Sequence, residues 1–178
     1  MRRLLFVVLV LAACKTSPDE LPEGLVITNT HPEFDKFRPT VIAVLPVEAS
    51  SLKLREQLRE EMYRGIFEKK YSAIKLQSVD ARLDSSGNFD PGDLVFDATL
   101  TVTMETWKPM AGTAAQYQAR GIARMTHKSG ELLWECSMPD RAFKVESRAA
   151  DTEVNMAISE IAKFFLQRLP PSPPPPGE

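Results

Sequence analysis

The chain has 178 residues, and 22 Lys and Arg stand against 24 Asp and Glu, a formal net charge of −2. That length accommodates one ordinary domain with tethers. A mildly acidic chain without a basic stripe lacks the electrostatic footprint that a phosphate backbone requires, which excludes a typical nucleic-acid binder.

The chain opens with the cationic pair Arg2 and Arg3, followed by an apolar run from residue 4 to residue 13. Ten residues at about 1.5 Å rise span about 15 Å, half of a bilayer core, so residues 1–13 read as a signal peptide and not as a membrane span. The run ends in Leu11-Ala12-Ala13-Cys14. This string resembles the lipobox of bacterial lipoproteins. The resemblance implies that the Cys14 sulfur carries a diacylglycerol, that cleavage precedes Cys14, and that the lipid holds the mature chain on a membrane. Two or more acyl chains make such an anchor stable. Lys15 follows where aspartate would resemble an inner-membrane retention signal, so the resemblance points to the outer membrane. The domain is expected in the periplasm, with the cell surface as the alternative side. With Cys14 committed to lipid, Cys136 is left without a disulfide partner. It sits in an apolar segment with no basic neighbour to lower its pKa and reads as a small buried hydrophobe.

Residues 14–38 are the lipidated cysteine and a tether. Pro18, Pro22 and Pro32 break it up, and Leu25-Val26-Ile27 is its one strand-like piece. The domain spans 39–169. Val41-Ile42-Ala43-Val44-Leu45 is apolar throughout and stops at Pro46, which predicts a strand covered on both faces. From residue 51 to residue 71, Leu54, Leu58, Met62 and Ile66 recur every four residues while Glu56, Glu60, Arg64 and Glu68 point away, the pattern of an amphipathic helix. Gly65 interrupts the apolar stripe and marks a close approach, expected to be to the sheet. Ala73-Ile74-Lys75-Leu76 reads as a second strand, giving a parallel strand–helix–strand unit. Residues 84–93 form a loop. Three strands follow at 99–105, 117–125 and 132–138, each with apolar and polar residues alternating, and residues 128–131 form the turn between the last two. Asp151 caps a last helix running to Arg168, with Val154, Ile158, Ile161, Phe165 and Leu169 on one face. Residues 170–178 hold six prolines in nine positions, a polyproline II tail expected to be solvated.

These elements predict an α/β (α+β) fold: a mixed sheet of about five strands with two helices packed on one face and the other face largely open to water. The alternation places Leu100, Val102, Met104, Trp134, Cys136 and Met138 under the helices. It places the threonines of the first meander strand, Arg120, Arg124 and Glu135 on the open face. Trp107, Ile122 and Leu133 fall on that face too, as an exposed apolar patch suited to a partner.

Three strings carry a further resemblance: residues 41–46 before a helix, Val95-Phe96-Asp97-Ala98-Thr99-Leu100 entering a strand, and Ser129-Gly130-Glu131-Leu132-Leu133-Trp134-Glu135 after a turn. Together they resemble the TolB amino-terminal-domain-like lipoproteins over about residues 40–169. The resemblance implies a small α/β domain that binds proteins at the envelope, and it carries over no catalytic residue. The group often has Gly-Ala-Asp before a sheet strand; here only Asp97 matches, behind Val95 and Phe96. No Gly-x-Ser-x-Gly, His-Glu-x-x-His, phosphate loop or paired-cysteine metal motif is present. His31 and His127 read as solvated, and Asp97 as a turn or capping residue. The expectation is an outer-membrane-anchored lipoprotein, not an enzyme, with no cofactor and no metal. It meets the membrane through Cys14, and its periplasmic domain binds a protein partner in envelope assembly or secretion through Trp107, Ile122, Leu133, Arg120 and Arg124. The alternative is a small-ligand-binding or enzymatic periplasmic domain with a deep pocket.

Overall fold

A computed structural model describes residues 25–110, 115–145 and 150–174. The signal peptide and Cys14 lie outside the described residues. Among the described residues six strands, β1 (Ile27–Thr30), β2 (Val41–Val44), β3 (Ser72–Ala73), β4 (Ala98–Pro109), β5 (Ala115–His127) and β6 (Leu132–Val145), form one mixed sheet in the order β1-β6-β5-β4-β2-β3.

The parallel unit is present. β2 (Val41–Val44) leads into α2 (Leu52–Glu68), which returns to β3 (Ser72–Ala73), and β2 and β3 pair in parallel. The Ser51 hydroxyl caps α2 by accepting the Leu54 N–H at 3.4 Å. The four-residue spacing of Leu54, Leu58, Met62 and Ile66 buries all four. A five-residue helix, α3 (Leu76–Asp80), follows β3. β2 is also parallel to β4 (Ala98–Pro109), and β4, β5 (Ala115–His127) and β6 (Leu132–Val145) form an antiparallel meander. α4 (Ala150–Arg168) runs back over β5 and β6 and packs against α2.

The sheet has one strand more than the expected five because the tether supplies it. β1 (Ile27–Thr30) pairs antiparallel with β6, and a one-turn helix, α1 (Phe34–Phe37), is pinned by buried Phe34. As the continuous apolar run implied, β2 is covered on both sides. Ile42 and Val44 join the main core, while Ala43 packs with Val79 of α3 and Phe96 in a second, smaller one. Gly65 does mark a close approach, but to α4 and not to the sheet: a Cβ there would stand 2.1 Å from Leu166 Cδ1.

Three register shifts change which side chains share a face. Met104 pairs with Gly121 and Thr106 with Arg120, leaving Glu105 as an extra residue in β4. Met125 pairs with Trp134 and Thr126 with Leu132, leaving Leu133 extra in β6. Gly121 pairs with Met138 but Ala119 with Arg141, so β6 carries another extra residue at 139–140. Side chains alternate with a period of two, so each bulge hands the rest of its strand to the opposite face. Two expectations fall with this. Leu133 is not exposed; it is 0% accessible in the main core, and Leu132, at 42%, is the one turned to solvent. Trp107 is not on the open face; it lies across from buried Ala119 on the helix-bearing side.

The first half of the proline tail is also docked, against the expectation of a solvated end. The Tyr71 hydroxyl donates to the Pro170 carbonyl at 2.8 Å, the Ser172 N–H to the Lys69 carbonyl at 2.8 Å, and Arg38 to the Pro174 carbonyl at 2.9 Å. Pro173 is buried. Burial, with the charge of Asp35 added, pushes the Tyr71 phenol far above its ordinary range and keeps it a neutral donor. Residues 175–178 lie outside the described residues. Among the described residues no helix is long and apolar enough to cross a membrane.

Candidate partner interface

The open face of β4, β5 and β6 is a polar lattice. Arg124 Nε lies 2.6 Å from Glu135 Oε2, across the β5–β6 ladder. Arg120 Nε lies 2.6 Å from Glu105 Oε2, the bulged residue of β4. Thr103 Oγ1 donates to Glu48 at 3.0 Å. Such solvent-facing pairs each contribute about 0–1 kcal/mol, so they shape the surface's charge more than its stability. Ile122 sits between Thr103 and Ser137 in the pairing and is half-buried. Beside it, Leu25, Arg120, Pro139 and Asp140 line a groove of about 350 Å³ that is open to solvent. Of the five residues expected to form the interface, the structure gathers Arg120, Ile122 and Arg124 along β5. Leu133 and Trp107 are not part of this surface.

A second arrangement was not legible beforehand. Phe37 lies between both histidines, with ring centroids 5.1 Å from His31 and 5.1 Å from His127. His31 Nδ1 accepts the Glu33 N–H at 3.1 Å, and its Nε2 lies 3.5 Å from Glu131. His127 Nδ1 accepts the Ser129 N–H at 3.2 Å. Neither ring is simply solvated: the two clamp α1 against the β5–β6 turn. No sequence spacing signals this, because residues 31, 37 and 127 meet only once β1 has docked on β6.

Asp97 does more than cap a turn. Its Oδ2 accepts the Thr40 N–H at 3.0 Å, the Thr40 hydroxyl at 2.8 Å and the Val41 N–H at 2.9 Å, stapling the start of β2 to the start of β4. Burial alone would raise its carboxyl pKa. The Val41 and Thr40 hydrogen bonds and the Lys128 charge outweigh that and hold it below the usual carboxylate value. A depressed folded-state pKa contributes stability above the unfolded pKa of about 4, and this is lost as pH falls through the folded value. Asp97→Asn is therefore expected to cost about 1–2 kcal/mol at neutral pH. Urea melts of both proteins across the acid range should show the gap closing as Asp97 itself becomes protonated.

Cys136 is fully buried, with the Thr28 hydroxyl 3.7 Å from its sulfur. Burial pushes the thiol pKa up despite that hydrogen bond, as befits an inert core residue. Among the described residues no three His, Cys, Asp or Glu cluster as metal ligands. The other grooves, between α2 and α3 and between α2 and α4, are also open to solvent.

The chain matches no family model and no curated protein. Its fold is nonetheless shared. The PelC dodecamer from Paraburkholderia phytofirmans superposes with a TM-score of 0.54 at 12% identity, covering 83% of this chain and 99% of that one. The lipoprotein GNA1162 from Neisseria meningitidis superposes with a TM-score of 0.50 at 14% identity, covering 72% of this chain and 99% of that one. At such identity the likeness concerns the fold alone.

Proposed function

We propose that this chain is an outer-membrane lipoprotein, anchored through Cys14, whose TolB amino-terminal-like domain binds a protein partner in envelope assembly or secretion. It acts by binding and not by catalysis. The observation that supports this best is the shared fold: nearly the whole length of a lipoprotein and of a subunit of a dodecamer is matched by this domain. A fold that builds a dodecamer elsewhere makes a second copy of this chain the first partner to consider. The surface assigned to the contact is the polar strip of Arg120, Ile122 and Arg124.

The test is crosslinking of the lipidated full chain in its own envelope, beside an Ile122→Asp variant. Ile122 is only half-buried on the open face, so the variant is expected to melt within a few degrees of the parent. A crosslinked partner, or a ladder of self-crosslinks, that the folded variant loses supports the reading. Recovery of the same partner from both proteins discards the open-face assignment. Recovery of none returns the alternative, a small-ligand or enzymatic domain. Cys14→Ser separately tests the anchor, since it should abolish acyl labelling and release the chain from the membrane fraction.

A further inference from the structure

We propose that the arm formed by β4 from Glu105, β5 before Gly121 and β6 from Pro139 rests on an anionic lipid surface, the one to which the chain is anchored. This rests on the lipid anchor at Cys14 and adds to it an orientation and a contact surface.

The first argument is where the chain leaves the domain. β1 runs antiparallel to β6 with Ile27 opposite Ser137, so the residues before it head toward Pro139. The His31 N–H donates to the Leu133 carbonyl, and in an antiparallel ladder every second residue repeats that bond, which makes residue 139 the next after 133, 135 and 137 to face β1. Pro139 has no N–H to give, so pairing ends there. Leu25, 82% exposed, sits at that point beside Glu105, Arg120 and Asp140, at the base of the arm. Eleven residue steps separate it from Cys14. They reach about 40 Å when fully extended and about 20 Å as a flexible coil. The β5–β6 turn, at the opposite end of the sheet, lies about 23 Å further from the exit point. The arm is thus the end of the sheet at which the segment leading to Cys14 joins the domain.

The second argument is charge. The described residues of the arm carry Lys108, Arg120, Arg141 and Lys144 against only Glu105 and Asp140, a basic island in a chain of net charge −2. Lys108 and Lys144 are both exposed. A lysine near an anionic leaflet contributes about 1 kcal/mol.

The third argument is residue type. Trp107 and Tyr117 stack on the arm with centroids 4.7 Å apart and rings 11° from parallel. Beyond Met104, β4 has no partner strand on its outer side among the described residues, so Trp107 stands on an edge strand, part-buried against the core, with Tyr117 of the central strand stacked on it. Lys108 and Lys144 fall on the opposite face of the arm, so it is by its end that the arm presents both to the surface. Trp and Tyr settle at headgroup depth, where an apolar ring and a polar group are both satisfied.

The chain's two tryptophans make this measurable. Trp134 is fully buried in the segment of β6 just after the β5–β6 turn, far from the arm. The lipidated full chain would be reconstituted into phosphatidylcholine–phosphatidylglycerol vesicles with brominated acyl chains, and into phosphatidylcholine alone. Quenching is expected for the parent in the anionic vesicles and absent in Trp107→Phe, which retains only Trp134. Lys108→Glu with Lys144→Glu should lower it by about twofold or more, as should added salt. Mass spectrometry of the same preparation reads the acyl chains on Cys14, so a failed anchor shows as missing mass. Unquenched Trp107 on an anchored chain overturns the proposal. So does quenching that ignores lipid charge, or arm-to-arm crosslinks between copies that account for Trp107 shielding.

Discussion

Leu133→Asp is expected to cost about 4 kcal/mol or more, while Leu132→Asp, one residue away, should stay within about 0.5 kcal/mol of the parent. Leu133 is 0% accessible and belongs to the main core, whereas Leu132 is 42% exposed. The first substitution removes a packed side chain and buries a carboxylate with no partner; the second places the same carboxylate in water. For a domain of this size the loss corresponds to a fall of about 10 °C or more in Tm, so thermal melts followed by circular dichroism separate the two. The reverse order of effects, with Leu132→Asp the costlier, would mean that the bulge at the start of β6 is absent and that strict alternation holds.

Trp134→Ala is expected to destabilise by about 3–5 kcal/mol, and Trp134→Phe by roughly 1–2 kcal/mol. The indole is fully buried, and its Nε1 donates to the Arg168 carbonyl at 3.1 Å. That carbonyl belongs to the last turn of α4, just before Leu169 and the docked tail. Alanine leaves both a cavity and an unpaired carbonyl, while phenylalanine removes the donor but keeps most of the volume. Urea midpoints give the magnitudes. Hydrogen exchange should show the amides of 165–169 losing protection ahead of those in α2. Uniform loss in both helices would mean that Trp134 only fills space and does not hold the end of α4.

The departures from the expected faces trace to the bulges. In β4 the apolar positions run 100, 102, 104 and then 107, and in β6 the core positions run 134, 136, 138 and then 143. An odd gap in a period-two pattern is the sequence signature of an extra residue, so the reassignment of Trp107 was available from spacing alone. Leu132-Leu133 carries the same signal as two adjacent apolar residues. Which of the two turns inward cannot be read locally, because it depends on β1 and β5 pairing on either side of β6. The histidine clamp around Phe37 and the docking of Pro173 have no local signature at all: each joins segments about 90–100 residues apart in the chain.

By itself the sequence determined the five main strands, the two long helices, the parallel β2–α2–β3 unit, the two-sided burial of β2 and the mixed sheet with two helices on one face, while α1 and α3 were not read and Leu76, expected in a strand, begins α3. These follow from periodicities of 2.0 and 3.6 residues, which are properties of the local backbone. It also carried the Leu-Ala-Ala-Cys string, whose meaning is chemical and needs no fold. Only the tertiary structure decided which side chains are surface and which are core. It made β1 the sixth strand, seated the tail on Tyr71, reduced the apolar patch to Ile122 and brought Leu25 beside Arg120 and Asp140. Those outcomes depend on long-range strand pairing and on single-residue bulges, where one extra residue exchanges the faces of everything beyond it.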